Sequence, residues 1–382
     1  MPLANDRNFA FRPAEGSALL ALGFRPFYLL AGVYATLSIA FWALEYAGWL
    51  PGAGFLWHAH EMLFGYTFAV ITGFLFTAVR NWTGLPTPTG MTLAALAVLW
   101  IAGRALAPVS LEAAAIADGL FALGVAWGIG QPLVASGNRR NLFFIALVLG
   151  FGIASVTFHL WPRYAITIGL DVVMFVMAVV AGRVVPMFTN NAVPGAGARR
   201  MPLIEIGALG SVLLLLAADV FRLTAVVPAL ALLGAVLHAA RLALWAPLRT
   251  GGRPILWILH LSYAWIVVHL LLRGFAELGL LAPAAATHAL TVGAIGGLTL
   301  GMMSRTARGH TARPLTVGRA ETTAYALLHA AALVRVLTPL LAPEVYRAGI
   351  LLSAALWSAA FGIFTCVYYP VLTRPRIDGK PG

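Results

Sequence analysis

Apolar residues run through this chain in long blocks, without the strict alternation of a half-buried strand. Windows of roughly 18 or more nearly uncharged residues recur from end to end, and each is long enough to cross a bilayer as a helix. Hydropathy places the spans near 18–47, 55–79, 90–107, 112–131, 141–161, 164–187, 202–221, 226–246, 254–277, 286–304, 320–340 and 347–370. Turn formers stand between them, including Pro51-Gly52, Pro86, Pro88, Gly137-Asn138, Pro194-Gly195, Gly251-Gly252 and Pro343. The pattern predicts an all-α, polytopic membrane helix bundle of about twelve transmembrane helices over 17–372. This is a single membrane domain, 1–382, with short cytoplasmic tails at 1–16 and 373–382. The first sixteen residues lack the charged head, apolar centre and cleavage site of a signal peptide, hence their reading as a tail.

Composition agrees with a membrane domain and excludes an ordinary soluble one. Of 382 residues, 61% are apolar and 10% charged, where a soluble domain carries roughly 25% charged residues. The 25 Lys and Arg outnumber the 13 Asp and Glu, but they fall a few at a time in connections between spans and form no stripe suited to a nucleic acid. Arg80, Arg139, Arg140, Arg199, Arg200, Arg249, Arg253, Arg305, Arg308, Arg313, Arg319, Arg374, Arg376 and Lys380 share one side. Only Arg104, Arg163, Arg222, Arg273, Arg335 and Arg347 belong to the other. The positive-inside rule then puts both termini in the cytoplasm, which requires an even number of spans.

Cys366 is the only cysteine, so a disulfide or a Cys-rich metal site within one chain is excluded. Any metal must rely on His, Met and carboxylate. Nine histidines are present, and eight lie within or at the ends of spans, His310 being assigned to a loop. Ionisable groups in a bilayer are costly and tend to mark function. From the helix rise, His58, His60, His159, His269 and His288 share the outer leaflet, His238 and His329 lie near the middle, and His260 lies toward the cytoplasmic end.

Trp57-His58-Ala59-His60-Glu61-Met62 is the densest of these signals. Residues two apart on a helix point about 200° apart, so His58 and His60 face different partners. Glu61 and Met62 are expected on the His58 side. The plainer reading is a polar helix entrance with an interfacial tryptophan. His238 and His260 suit interhelical hydrogen bonds at least as well as ligation. The candidate cofactor and metal ligands are therefore His58, His60, His269, His288 and His329, with Glu61 and Asp171 as proton-relay or supporting groups. Asp171 equally suits a structural partner for an arginine. No catalytic residue is assigned.

Imidazole suits iron, copper and zinc, and a planar macrocycle between helices needs only an axial His from each. A b-type haem fits best and a copper ion second. Gly293, Gly297 and Gly301 recur every fourth residue, a face suited to close helix packing or to a flat cofactor.

Five segments in order carry a resemblance: Gly23-Phe24-Arg25-Pro26-Phe27-Tyr28; Trp57 to Gly65; Gly73-Phe74-Leu75 with Thr77 to Gly84; Gly182-Arg183-Val184-Val185-Pro186-Met187-Phe188-Thr189; and His288 to Gly297, running on through Gly301-Met302-Met303-Ser304-Arg305. Over essentially its whole length the chain resembles the NnrS family of haem- and copper-containing bacterial membrane proteins. The resemblance implies an inner-membrane protein that binds or reduces nitric oxide and protects against nitrosative stress, served by an unidentified electron donor. Any reaction would be an oxidoreduction of the nitric oxide reductase type. His58, His60 and His288 lie in the matching segments; so do Arg25 and Arg183, which fall toward the cytoplasmic side. A transporter for a metal or small solute using intramembrane His and Asp171, or a non-catalytic sensor of nitric oxide or metal, are the competing classes.

Overall fold

The computed structural model of the protein describes residues 18–52 and 54–380, so the tail expected at 1–16 lies outside the described residues. Twelve helical rods follow one another, and the described residues contain no strand. They are α1 (Phe24–Tyr46), α2 (Gly54–Thr83), α3 (Gly90–Leu106), α4 (Leu111–Ala135), α5 (Arg139–Thr157), α6 (Pro162–Ala192), α7 (Pro202–Val220), α8 (Thr224–Leu244), α9 (Pro254–Glu277), α10 (Pro283–His310), α11 (Arg319–Leu341) and α12 (Pro343–Thr373). Eleven are long and apolar enough to cross a membrane; α3, with 17 residues, is the exception. At about 1.5 Å per residue it reaches about 26 Å, a little under the roughly 30 Å hydrocarbon layer.

The chain ends show that α3 nevertheless counts as a crossing. Ala18 donates its backbone N–H to Thr373 O at 3.0 Å, and the Arg25 guanidinium donates to Leu372 O at 3.0 Å and Arg374 O at 2.8 Å. The start of α1 and the end of α12 thus share one face of the bundle, which demands an even number of traverses. Arg25 is a structural clamp there, satisfying carbonyls that the end of α12 leaves unpaired.

Neighbours in sequence pack as neighbours in space, and α12 returns against α1. Enclosure is greatest for α2, α6 and α10 and least for α7 and α8. The peripheral helices turn apolar side chains such as Leu203, Ile206 and Val236 outward, which is stable against lipid and costly against water. The protein is a multi-pass membrane protein.

Several spans exceed their predicted bounds. The sixth runs from Pro162 to Ala192 and carries Pro186 in its interior, where sequence reading put that proline at a span end. Lateral packing tolerates such a proline in a membrane helix. Likewise α10 extends to His310, so this histidine is a last helical residue rather than a loop residue, and its ring packs on Phe24.

The glycine stripe is settled by its neighbours. A Cβ on Gly293 would lie 2.3 Å from Trp265 Cγ, one on Gly297 2.1 Å from Ser262 Oγ, and one on Gly301 2.8 Å from Leu259 Cδ2. All three glycines let α10 approach α9, leaving no bare surface for a flat cofactor.

Candidate functional site

Two helices break regular α geometry immediately after a histidine. In α2 the α-helical turn Gly54–His60 gives way to a π-helical stretch, Glu61–Thr67. In α10, Pro283–His288 gives way to the π-helical stretch Ala289–Gly296. Such stretches are rare and concentrate at functional sites, because i→i+5 bonding widens the helix and re-aims its side chains.

Between these helices lies a cavity of about 140 Å³, open at its mouth. Ile39, Trp42, Met62, Leu170 and Trp357 give it mainly apolar walls, and His58 and His288 both open onto it. His288 is held firmly: its Nδ1–H donates to Ala284 O at 2.7 Å, one turn back in α10. A carbonyl only accepts, so this bond fixes the tautomer and leaves Nε2 as the free lone pair, the arrangement found in metal-ligating histidines. His58 is held more loosely. Its ring stacks on Trp42, centroids 4.2 Å apart and planes 18° apart, while its buried Nδ1 has no hydrogen-bond partner.

The other candidate residues do not join this cavity. His60 turns to the opposite face of α2, as the two-residue spacing predicts. Its Nδ1 lies 2.8 Å from Glu61 Oε1 and its Nε2 3.5 Å from Asp118 Oδ2, with the His159 ring 5.4 Å away. Arg104 completes the cluster, with Nε 2.5 Å from Glu61 Oε2 and NH2 2.8 Å from Asp118 Oδ1, and Tyr34 donates to Glu61 Oε2. Glu61 was expected beside His58 and instead belongs here. α-Helical spacing cannot be carried across a switch to π geometry, and Arg104 supplies the charge that a buried carboxylate needs. Met62 does line the His58 cavity.

His269 donates Nδ1–H to Ala286 O at 2.8 Å, and its buried Nε2 is unpartnered, but it does not line the cavity. His329 accepts from Trp265 Nε1–H at 3.2 Å through Nδ1. Indole only donates, so a neutral His329 carries its proton on Nε2 and has no lone pair to spare. His238 is tied at both nitrogens, to Tyr263 OH and Ala208 O, and His260 meets Thr189 Oγ1 at 2.9 Å. Asp171 pairs with Arg273 at 2.9 Å, and Arg273 also pairs with Asp219. Of the two roles open to Asp171, partner to an arginine is the one with a visible bond.

Among the described residues no three His, Cys, Asp or Glu side chains form a group able to hold a metal ion. Two imidazoles are too few for a bare ion but sufficient for a metal whose other donors come from a macrocycle. The cavity fits that group on two counts: the lone pair freed at His288 Nε2 and the unpartnered Nδ1 of the His58 ring. Sequence reading missed the walls Trp42 and Trp357, which come from α1 and α12, helices without a histidine, and Arg335, which lies on α11 beyond His329.

One turn deeper, mainly between α2, α6 and α10, lies a second cavity of about 70 Å³, lined by residues such as Val70, Phe74, Val180, Leu259 and Met302. Tyr66, in the wall of the first cavity, lies 2.6 Å from Thr299 in the wall of the second. Thr299 Oγ1 donates to Ile295 O, so Tyr66 is the donor to Thr299, and this pair forms the partition.

The motifs remote from the cavity are joints. Gly73 admits the Tyr28 ring, a Cβ there lying 2.9 Å from it, and Gly182 admits Arg241, which pairs with Glu205 at 2.6 Å. Arg183 donates to Asn141 Oδ1 at 2.6 Å, and Arg305 lies 3.7 Å over the Phe188 ring. No curated protein matches the chain. A family model described as NnrS protein matches residues 18–376, nearly everything described, and the chain belongs to the NnrS family.

Proposed function

We propose that the protein binds nitric oxide at a haem held by His288 and His58 and serves a bacterium's response to nitrosative stress from its cytoplasmic membrane. The observation that carries this reading is the meeting of two imidazoles, from α2 and α10, in one apolar cavity where His288 already has the ligand tautomer. Membership in the NnrS family supports the link to nitric oxide and to haem and copper. Both chain ends meet on one face, and the alternation of basic loops along the sequence supports cytoplasmic termini and, with them, a cavity toward the outer side.

The residues divide the work. His288 is fixed by its backbone bond, so it would hold the haem iron. His58, restrained only by stacking on Trp42, would be the more weakly held of the two ligands. Trp42, Trp357 and the aliphatic walls exclude water, which favours an apolar diatomic over an anion or a solvent molecule. When bound, the haem would supply the iron for nitric oxide coordination and a route for electrons. Nitric oxide dissolves in lipid, and the second cavity, wholly apolar apart from Tyr28 and Thr299, offers storage beside the first. The transporter alternative has less support, because Asp171 is paired with Arg273.

Anaerobic addition of nitric oxide to the purified, reduced protein tests the reading. A shift of the Soret band is expected, and formation of nitrous oxide would add reductase activity to binding. A protein that takes up haem yet shows no spectral response to nitric oxide would refute it.

A further inference from the structure

The charge balance of the first cavity leaves one residue over. Among the described residues, Arg104 meets Glu61 and Asp118, Arg241 meets Glu205, and Arg273 meets Asp171 and Asp219, while Arg25 bonds the carbonyls of Leu372 and Arg374 and Arg305 lies over the Phe188 ring, neither of these last two on the cavity. Arg335, on α11, is 8% exposed and lines the cavity beside His58 and His288. It meets no carboxylate. Its one hydrogen bond runs from NH1 to the neutral hydroxyl of Tyr346 at 3.2 Å, and its guanidinium carbon lies 5.7 Å from that ring. A guanidinium has five donors, so most of its capacity is unused in a place where an unpaired charge is expensive.

No carboxylate lines the cavity to meet it. Five hydroxyls line the wall, all donating to the protein itself and none accepting from Arg335: Tyr66 to Thr299, Thr67 to Met62 O, Thr287 to Pro283 O, Thr291 to Thr287 O, and Ser353 to Ala331 O. The ionisable groups lining the space are two imidazoles and one cation. A ligand that satisfies all three carries a metal for the imidazoles and an anionic oxygen for the guanidinium.

We infer that Arg335 is an anion-binding residue, the counter-ion for an anionic oxygen group on whatever occupies the cavity. This deepens the haem reading and rests on it only for the identity of the occupant. The oxygen can belong to a carboxylate on the macrocycle itself or to a free oxyanion that enters beside it. Bidentate geometry suits both, and lysine would serve as a point charge only.

Purified full-length protein, wild type, Arg335→Gln and Arg335→Lys, would be titrated with iron protoporphyrin IX and with its dimethyl ester by absorbance. Nitrite would be titrated separately by calorimetry. If the carboxylate is the partner, the Gln variant binds the free acid at least about tenfold more weakly, binds the ester as wild type does, and recovers part of the loss as Lys. If a free oxyanion is the partner, the porphyrins bind alike and the nitrite heat disappears in the Gln variant. Identical behaviour of acid, ester and nitrite in wild type and Gln variant would overturn the assignment. Failure of both porphyrins to bind the wild type would instead remove the haem reading, and the nitrite titration would then decide Arg335 alone.

Discussion

Replacing His288 with alanine is expected to lower the haem content of the purified protein by at least tenfold, whereas replacing His58 is expected to leave most of it in place. The asymmetry follows from how each ring is held. His288 is oriented by an Nδ1–H bond to Ala284 O, and such supported ligands dominate affinity; even the supporting contact is commonly worth about 10–100-fold. His58 rests on Trp42 by stacking alone, worth about a kcal/mol. Its loss should open one axial position, turning a low-spin spectrum high-spin. Both variants should insert and keep their helix content, because neither ring bridges to another helix by a hydrogen bond. Equal loss in the two variants would mean that the rings are equivalent ligands; no loss in either would remove both from the site.

The second large effect is on stability. Arg104→Leu would leave Glu61 and Asp118 facing one another without a cation at full burial. Breaking such a pair by removing one partner costs about 3–5 kcal/mol, since the remaining charges stay desolvated. A reversible unfolding titration in mixed micelles should show that loss. Adding Glu61→Gln and Asp118→Asn to Arg104→Leu should recover much of it, since the stranded charges are then gone. A single variant as stable as the wild type would show that water or a proton relieves the cluster.

Long apolar blocks and turn residues made the twelve-helix bundle legible, and the alternation of basic loops anticipated that the ends meet. The pairing of His58 with His288 was also within reach, since the helix rise puts both at similar depth, near the start of their spans. What α-helical arithmetic missed was the register after them. The π-helical stretch from Glu61 carries that carboxylate to His60 and Arg104 and away from His58. Depth alone could not separate a ligand from a hydrogen-bonded ring either. His329 converges in depth with the others, yet a tryptophan from α9 has claimed its lone pair. Arg104, Asp118 and Arg335 were visible as charges, but their partners depend on which helices touch, and short-range spacing carries no record of that.

The most direct test is the resting spectrum of the wild-type protein, purified with haem and read by optical absorption and electron paramagnetic resonance. The account predicts a low-spin ferric haem with two imidazole ligands, converted to high spin by His58→Ala and lost with His288→Ala. A haem whose spectrum is indifferent to both substitutions, or a wild-type protein that binds none, would contradict it.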